Sequence, residues 1–523
     1  MKIWYNIFRQ KFQERKNAML SLAVRNTAKL VREKSKSENV RLGRLFTKKD
    51  TARLMASMFN IDTTRSVYTI LDPGAGTGIL SGAIVERICK EAPSVKQIYL
   101  TCYESNPEFC AMLEDNLERI RKKARHDYGV KLFYTVYEEN YILDAQNHYT
   151  VTFFDATPDT FDLIICNPPQ GFLDKASDEA QVAGGVTQIK INEAFLFAKM
   201  ARGHLEEDGQ LVCMLPTTVA TATELKNFRL EMSETLSIHR IHLFVGVQKN
   251  KSRATPLKKN IIIAYHKGEA PETISITTST DHGSSEKTVT LPPLPYRFVV
   301  NKDGHALTLP KSAEDTQIVR YLSSFPETLT SLGLKMYTGL VIDSRVGEML
   351  FSEPTRGAVP LFRPNAISGG VIRFPLPIKN QYIAPLNENL VQRNKNMIFI
   401  KRVPAKGDER FLNCAIYIAA GLPSYRYIST HNKINFIDTR DKNAEMSARF
   451  VWGLFALLNS TIYDRYLSIV SKSSQINSKE MQNLPLPERH IIENIGVHLM
   501  TLRATDVDSC DSVVNPVLRI RKL

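Results

Sequence analysis

A chain of 523 residues exceeds the roughly 100–200 residues of one domain and predicts two or three domains, each able to bury a core. With 43% apolar and 23% charged residues, 25 Gly and 25 Pro, the composition excludes disordered and fibrous classes. The net charge of +14 points to a polyanionic partner, and residues 1–50 carry +10 of it. The seven cysteines are odd in number and never spaced as CxxC, so they suggest neither a disulfide framework nor a zinc site. The N-terminus has no signal-like apolar segment, and no later stretch reaches the ~18 apolar residues of a membrane span. A cytoplasmic protein with no membrane association and no metal is expected.

In chain order, Ile3, Ile7, Phe8 and Phe12 at helical spacing, with basic residues between them, predict a basic N-terminal arm over residues 1–40. A solvated helix face and a phosphate-contacting arm both fit it. Leu42 to Asn60 reads as a loop feeding a helix, with Thr47 and Asp50 as candidate caps. A strand, Val67 to Leu71, runs into Asp72-Pro-Gly74-Ala-Gly76-Thr-Gly78 and then a helical pattern. Glycines at a strand-to-helix turn let the backbone approach a ligand and expose amide N–H groups. The pattern is GxGxG with an acid two residues before it, which favours a nucleoside without a pyrophosphate. The next strand, Gln97 to Tyr103, ends in Glu104, placed to accept hydrogen bonds from ribose hydroxyls.

A long helix from Pro107 to His126 follows, then strands Lys131 to Val136 and Phe161 to Cys166. The last of these stops abruptly in Asn167-Pro168-Pro169-Gln170. Two prolines end the ladder and stiffen the turn, presenting the Asn167 side-chain oxygen and the Pro168 carbonyl as two fixed acceptors. Two acceptors suit a planar amino group, whose nitrogen lone pair is then drawn out of conjugation and aimed at an electrophile. A helix near 191–205 and strands Gln210 to Leu215, Ile238 to Phe244 and Asn260 to His266 complete a doubly wound, Rossmann-like α/β domain, the last two strands forming an antiparallel edge. Polar, turn-rich TTSTDHGSS and the LPPLP cluster mark a boundary near 290–300, and residues 300–523 read as a separate α+β domain.

These motifs resemble the N6-adenine DNA methyltransferases of restriction-modification systems, in their TaqI-like motif order, over about residues 40–270. Gly43-Arg-Leu-Phe-Thr47 is similar to motif X, Asp72 to Gly78 to motif I, the strand ending in Glu104 to motif II, Asn140-Tyr141-Ile142 to motif III, and Asn167 to Gln170 to motif IV. The resemblance implies a methyltransferase domain over 41–290 and a target-recognition domain over 300–523. It implies S-adenosyl-L-methionine held by Thr47, Asp72, Gly74, Gly76, Gly78, Glu104 and Asn140, with Tyr141 beside the cofactor adenine. Catalysis falls to Asn167, Pro168, Pro169 and Gln170, acting on an adenine flipped out of double-stranded DNA.

The sequence departs from the family at three places. Asn140 stands where Asp is usual, Lys48 follows Thr47 where Pro is usual, and Gln170 replaces the aromatic that stacks on the target base. Either Phe172 covers the base in its place or Gln170 hydrogen-bonds it. Cytosine N4 presents the same two donors, although Asn-Pro-Pro favours adenine. Only about 40 residues precede motif X, too few for the nuclease domain of a fused enzyme, so a stand-alone modification enzyme is expected, with a cognate restriction endonuclease acting separately on the same site. The rival readings are an Asn-Pro-Pro methyltransferase of RNA or protein glutamine, and a non-catalytic DNA-binding specificity protein. In the C-terminal region Arg393, Lys395, Lys401, Arg402, Lys406 and Arg410 form a basic segment suited either to phosphates or to a solvated loop.

Overall fold

The computed structural model describes residues 18–33, 46–150, 160–174, 176–182, 192–246, 257–301, 306–402, 410–471 and 478–520. Most of the basic arm, the start of the motif X segment at Gly43, and Lys406 lie outside the described residues. Two compact units divide at Lys311/Ser312.

In chain order the first unit contains α1 (Met19–Arg32), α2 (Lys49–Ser57), β1 (Val67–Pro73), α3 (Ile79–Glu91), β2 (Gln97–Tyr103), α4 (Pro107–Tyr128), β3 (Lys131–Tyr137) and α5 (Tyr141–Thr150). It continues with β4 (Phe161–Cys166), α6 (Asp178–Val182), α7 (Glu193–Gly203), β5 (Leu205–Pro216), β6 (Leu236–Val245), β7 (Leu257–Lys267), β8 (Thr273–Ser279), β9 (Thr288–Thr290) and β10 (Leu294–Pro295). The strands form one sheet in the order β10-β8-β6-β7-β5-β4-β1-β2-β3, with β9 on β8. β3, β2, β1, β4 and β5 are parallel, and β7 is antiparallel to both β5 and β6. Helices between parallel strands bury both faces, which is why β1 and β4 read as near-continuous apolar runs. Chain order reverses between β1 and β4, and ligands in such sheets bind at the carboxyl ends of the strands flanking that point.

Local chemistry sets the turns there. Gly74, Gly76 and Gly78 take φ of +76°, +57° and +79°, the left-handed region that only glycine enters without strain. The Gly74 and Ala75 amides donate to the Tyr103 carbonyl at 2.9 and 2.8 Å, tying the loop to the end of β2. α4 starts at Pro107, where Asn106 caps it by accepting from the Glu108 and Phe109 amides, and it stops at left-handed Gly129.

Three expectations change. The described part of the basic arm, α1, is not a free helix: Met19, Leu20 and Ala23 are buried in the main core of the first unit. α2 is capped at Lys48 with no side-chain hydrogen bond, so neither Thr47 nor Asp50 is its cap. The antiparallel β6–β7 pair is not the edge, because β8 pairs in parallel with β6 and extends the sheet. TTSTDHGSS reads as a linker because it is polar. Its threonines are β-branched, however, and Ile274 and Ile276 just before them are buried.

The second unit is α+β. A six-stranded sheet centres on Ile434–Thr439, Met397–Lys401 and Cys414–Tyr417, and a five-stranded one includes Val359–Phe362 and Tyr427–Thr430. Helices Ala448–Asn459 and Arg489–Leu502 approach closely at Gly453 and Gly496, where a Cβ on either would collide with the other helix's backbone. The basic segment here is partly structural. Lys395 is buried and pairs with Asp438 at 3.0 Å, and Arg410 lies 3.8 Å from Asp464 and donates to the Ser460 carbonyl. Two of the cations offered to phosphates are therefore engaged inside the fold.

Candidate active site

At the carboxyl ends of β1–β5 the first unit opens into a cavity of about 630 Å³, within the roughly 300–1,000 Å³ of small-molecule sites. Thr47, Gly74, Gly76, Glu104, Asn140 and Tyr141 line it together with Asn167, Pro168, Pro169 and Gln170. Residues up to 123 positions apart in sequence are thus brought to one space by the parallel strand ends. Asp72 and Gly78 are not on its wall. Asp72 is fully buried behind the loop, where its Oδ2 accepts from the Ser81 hydroxyl at 2.5 Å. Its Oδ1 has no hydrogen-bond partner among the described residues, and burial pushes its carboxyl up to about 7. Gly78 faces α4, where a Cβ would lie 2.8 Å from Leu113 Cδ1. Both shape the loop from behind, so of the residues expected to hold the cofactor these two stand off the cavity wall.

The loop is propped from α1. Thr27 and Thr77 share a hydroxyl hydrogen bond of 2.7 Å, and Asn116 of α4 donates to the Thr77 carbonyl at 2.8 Å. Nearby, the Asn26 amide donates to Asn116 Oδ1 at 2.8 Å. A Cβ at Gly74 would come within 3.3 Å of the Phe197 ring, and one at Gly76 within 3.7 Å of Phe46. Side chains there would narrow a cradle that glycines keep open.

Glu104, at the end of β2, accepts from the Gly76 amide through Oε2 and from the Asn106 amide through Oε1, both at 2.9 Å. Each oxygen keeps a second acceptor position. Burial holds this carboxyl above the ordinary glutamate range. Tyr141 is almost wholly buried, edge-on to Tyr103, near Phe197, and within 3.0 Å of His204 Nδ1. Asn140 caps α5: its carbonyl accepts from the Asp144 amide and its Oδ1 from the Ile142 amide at 3.0 Å.

At the end of β4, Asn167 Nδ2 donates to Thr47 Oγ1 at 2.9 Å. This fixes the amide plane and leaves Oδ1 as the acceptor. The Gln170 carbonyl accepts from Asn192 Nδ2 at 3.1 Å, and the Gly171 carbonyl accepts from the Glu193 amide, so the turn is anchored to the start of α7. Gln170 lines the cavity. Phe172, 66% exposed, does not.

Part of the remaining wall comes from residues that no motif marked: Met214 of β5, Phe244 of β6, Asn260 of β7, and Asp281 and His282 after β8. Lys48 Nζ lies 2.5 Å from His282 Nε2, and Thr51 Oγ1 donates to the His282 carbonyl at 2.8 Å. Asp281 accepts from the Gly283 and Ser284 amides and from the Ser284 hydroxyl, which holds its carboxyl below the usual range. These positions are scattered, and the only local signal, Asp-His-Gly in a polar run, reads as a turn.

No family model matches the chain. It is 24% identical over 475 residues to the type II methyltransferase M.BsuBI of Bacillus subtilis, covering 88% of this chain and 90% of that protein. It is also 24% identical over 489 residues to the type II methyltransferase M.PstI of Providencia stuartii, covering 92% and 93%. Among solved structures, the type IIL restriction-modification enzyme MmeI in complex with DNA matches at 10% identity and a TM-score of 0.42, over 98% of this chain and 75% of that one. The chain is therefore similar to type II methyltransferases over about nine-tenths of its length.

Proposed function

We propose that this protein is the modification enzyme of a restriction-modification system, transferring a methyl group from S-adenosyl-L-methionine to the N6 amino group of an adenine flipped out of double-stranded DNA. Methyl transfer follows from similarity to type II methyltransferases over nine-tenths of both chains. The finer reading rests on the site. One observation carries it: Asn167, with its amide nitrogen committed to Thr47, lines the same cavity as Pro168 and the glycine loop.

The cavity suits the cofactor. Gly74 and Gly76 leave room for a ligand against the loop, Glu104 retains acceptor positions for ribose hydroxyls, and Asn140 lies one strand further out, where a nucleobase follows its ribose. When bound, the cofactor supplies an electrophilic methyl group on a sulfonium. The chain's own task is to orient the nucleophile. Asn167 Oδ1 and the Pro168 carbonyl accept the two protons of the target amino group, so its lone pair leaves ring conjugation. Gln170 covers the base from the cavity wall, while Phe172 is exposed and not part of that wall. The role of the family's stacking aromatic thus falls to a polar side chain.

Residues 300–523 serve as the target-recognition domain, since methylating one base in a duplex requires reading its neighbours. A cognate endonuclease would act separately on the same sequence. All seven cysteines are free and buried, and no described helix is long and apolar enough to cross a membrane, which supports a cytoplasmic setting. Incubation with labelled S-adenosylmethionine and separate DNA, RNA and protein pools tests the reading. Label in N6-methyladenine of duplex DNA is the expected result. Label in RNA or in protein glutamine would replace this function with its rival.

A further inference from the structure

Asn140 ends the cofactor side of the cavity, and its amide is gripped at both ends. Oδ1 accepts from the Ile142 amide at 3.0 Å, and Nδ2 donates to Glu179 Oε1 of α6 at 2.7 Å. The two partners are of opposite kinds, a backbone donor and a carboxylate acceptor. A primary amide is nearly symmetric in shape but not in chemistry. Turning it by 180° about χ2 would set Nδ2 against the Ile142 N–H and Oδ1 against the Glu179 carboxylate. Both contacts would then be repulsive, and the second is the more severe because one partner carries charge. The Ile142 amide alone supplies only the weaker half of this bias. With both present, Oδ1 stays an acceptor and keeps one lone pair uncommitted.

The distinction matters for nucleobase choice. An exocyclic amino group needs an acceptor, whereas a keto oxygen at the same ring position needs a donor. We propose that Glu179 is a positioning residue that, by holding the Asn140 amide oxygen in place as an acceptor, makes the nucleobase end of the cofactor site selective for an amino-bearing purine. This rests on the reading of Asn140 as the contact to the cofactor's adenine. Glu179 acts through Asn140 and touches no reacting atom.

The test is calorimetric titration of the full-length protein with S-adenosylhomocysteine and with S-inosylhomocysteine, which carries a keto group in place of the amino group. Wild type binds the adenine compound at least tenfold more tightly. In Glu179→Gln the new side chain can face Asn140 with either its oxygen or its nitrogen. The preference therefore shrinks several-fold, by loss of the adenine compound and not by uniform weakening. Asn140→Asp alone brings two carboxylates together and weakens both ligands. Adding Glu179→Gln to Asn140→Asp restores donor–acceptor pairing and recovers most of the affinity for the adenine compound.

An unchanged preference in Glu179→Gln, or a double variant no better than Asn140→Asp, overturns the proposal. Wild type that binds the two ligands equally overturns the reading of Asn140 itself, and the proposal with it. Because the readouts are a ratio and a rescue, a general loss of fold cannot imitate them.

Discussion

On the β1–β3 side of the cavity, the groups that face a ligand stand at strand ends, and each has a holding contact within its own turn besides those from farther along the chain. Glu104 is fixed by the Asn106 amide two residues on, Asn140 by the Ile142 amide two residues on, and the glycine loop by its own left-handed turns. On the β5–β8 side, Met214, Phe244, Asn260 and His282 meet only because the sheet order places β5, β7, β6 and β8 next to one another. A turn that must adopt a special backbone and present a special atom constrains consecutive residues, and so leaves a motif. A wall assembled across strands constrains residue volume and polarity at separate positions, and leaves none. Under the proposed function the first wall serves the cofactor, and the second, with the Asn167 turn between them, serves the target base.

The largest effect that would break this division is expected at Asn167. Asn167→Ala removes one acceptor from the amino group, which costs about 3 kcal/mol of transition-state stabilisation, roughly a hundredfold in single-turnover methyl transfer. Near-normal turnover would remove the nucleophile-orienting role from this turn.

Glu104→Ala should weaken S-adenosylmethionine binding by roughly 1.5–3 kcal/mol, read by calorimetry, since charge-assisted bonds to hydroxyls are lost. Its carboxyl is held up by burial, so on acidification the wild-type affinity should begin to fall at a pH above the ordinary glutamate value of 4.5. An affinity flat from pH 7 to 4 would place the ribose contact elsewhere.

Asp72 sharpens the comparison by testing what stands behind the loop. Its carboxyl titrates near 7 in the fold against 3.8 when exposed, so the folded state holds the proton more tightly. This group's contribution to stability is full below pH 3.8 and is lost as pH rises toward 7. Asp72→Asn cannot charge and should remove this contribution, so the variant's melting temperature should fall less than the wild type's as pH rises across that window. A variant profile identical to the wild type's would deny Asp72 the buried position described.

The smallest effects separate cavity wall from exposed surface. Gln170→Ala should lower turnover several-fold, whereas Phe172→Ala should change it less, because only Gln170 faces the cavity. The reverse ranking would move the base-covering role to Phe172.

Much of the first unit was legible. Apolar runs ending in a glycine or proline turn located β1 and β4, and the helix expected from Pro107 to His126 runs to Tyr128. What stayed hidden did so for physical reasons. Thr277–Ser285 reads as turn-rich because threonine serves both turns and strands, and only the pairing of Thr277–Ser279 with β6 shows that a strand runs into it. α1 looks like a solvated basic helix because its charge is on one face, while Met19, Leu20, Ala23 and Thr27 on the other are buried and Thr27 reaches the glycine loop. Asp72 and Gly78 belong to the most legible motif of all, yet they face inward. A motif records which residues a turn requires, not which of them meet the ligand.

The central claim, that one cavity has a cofactor wall and a separate nucleophile-orienting turn, is tested most directly by paired measurements on Asn167→Ala and Glu104→Ala. S-adenosylmethionine affinity by calorimetry and single-turnover methylation of duplex DNA at saturating cofactor should be determined for both. A crossing is expected: Asn167→Ala keeps its cofactor affinity and loses the rate, while Glu104→Ala loses affinity and keeps most of the rate. If affinity and rate fall together in both variants, the two walls act as one and the division is wrong.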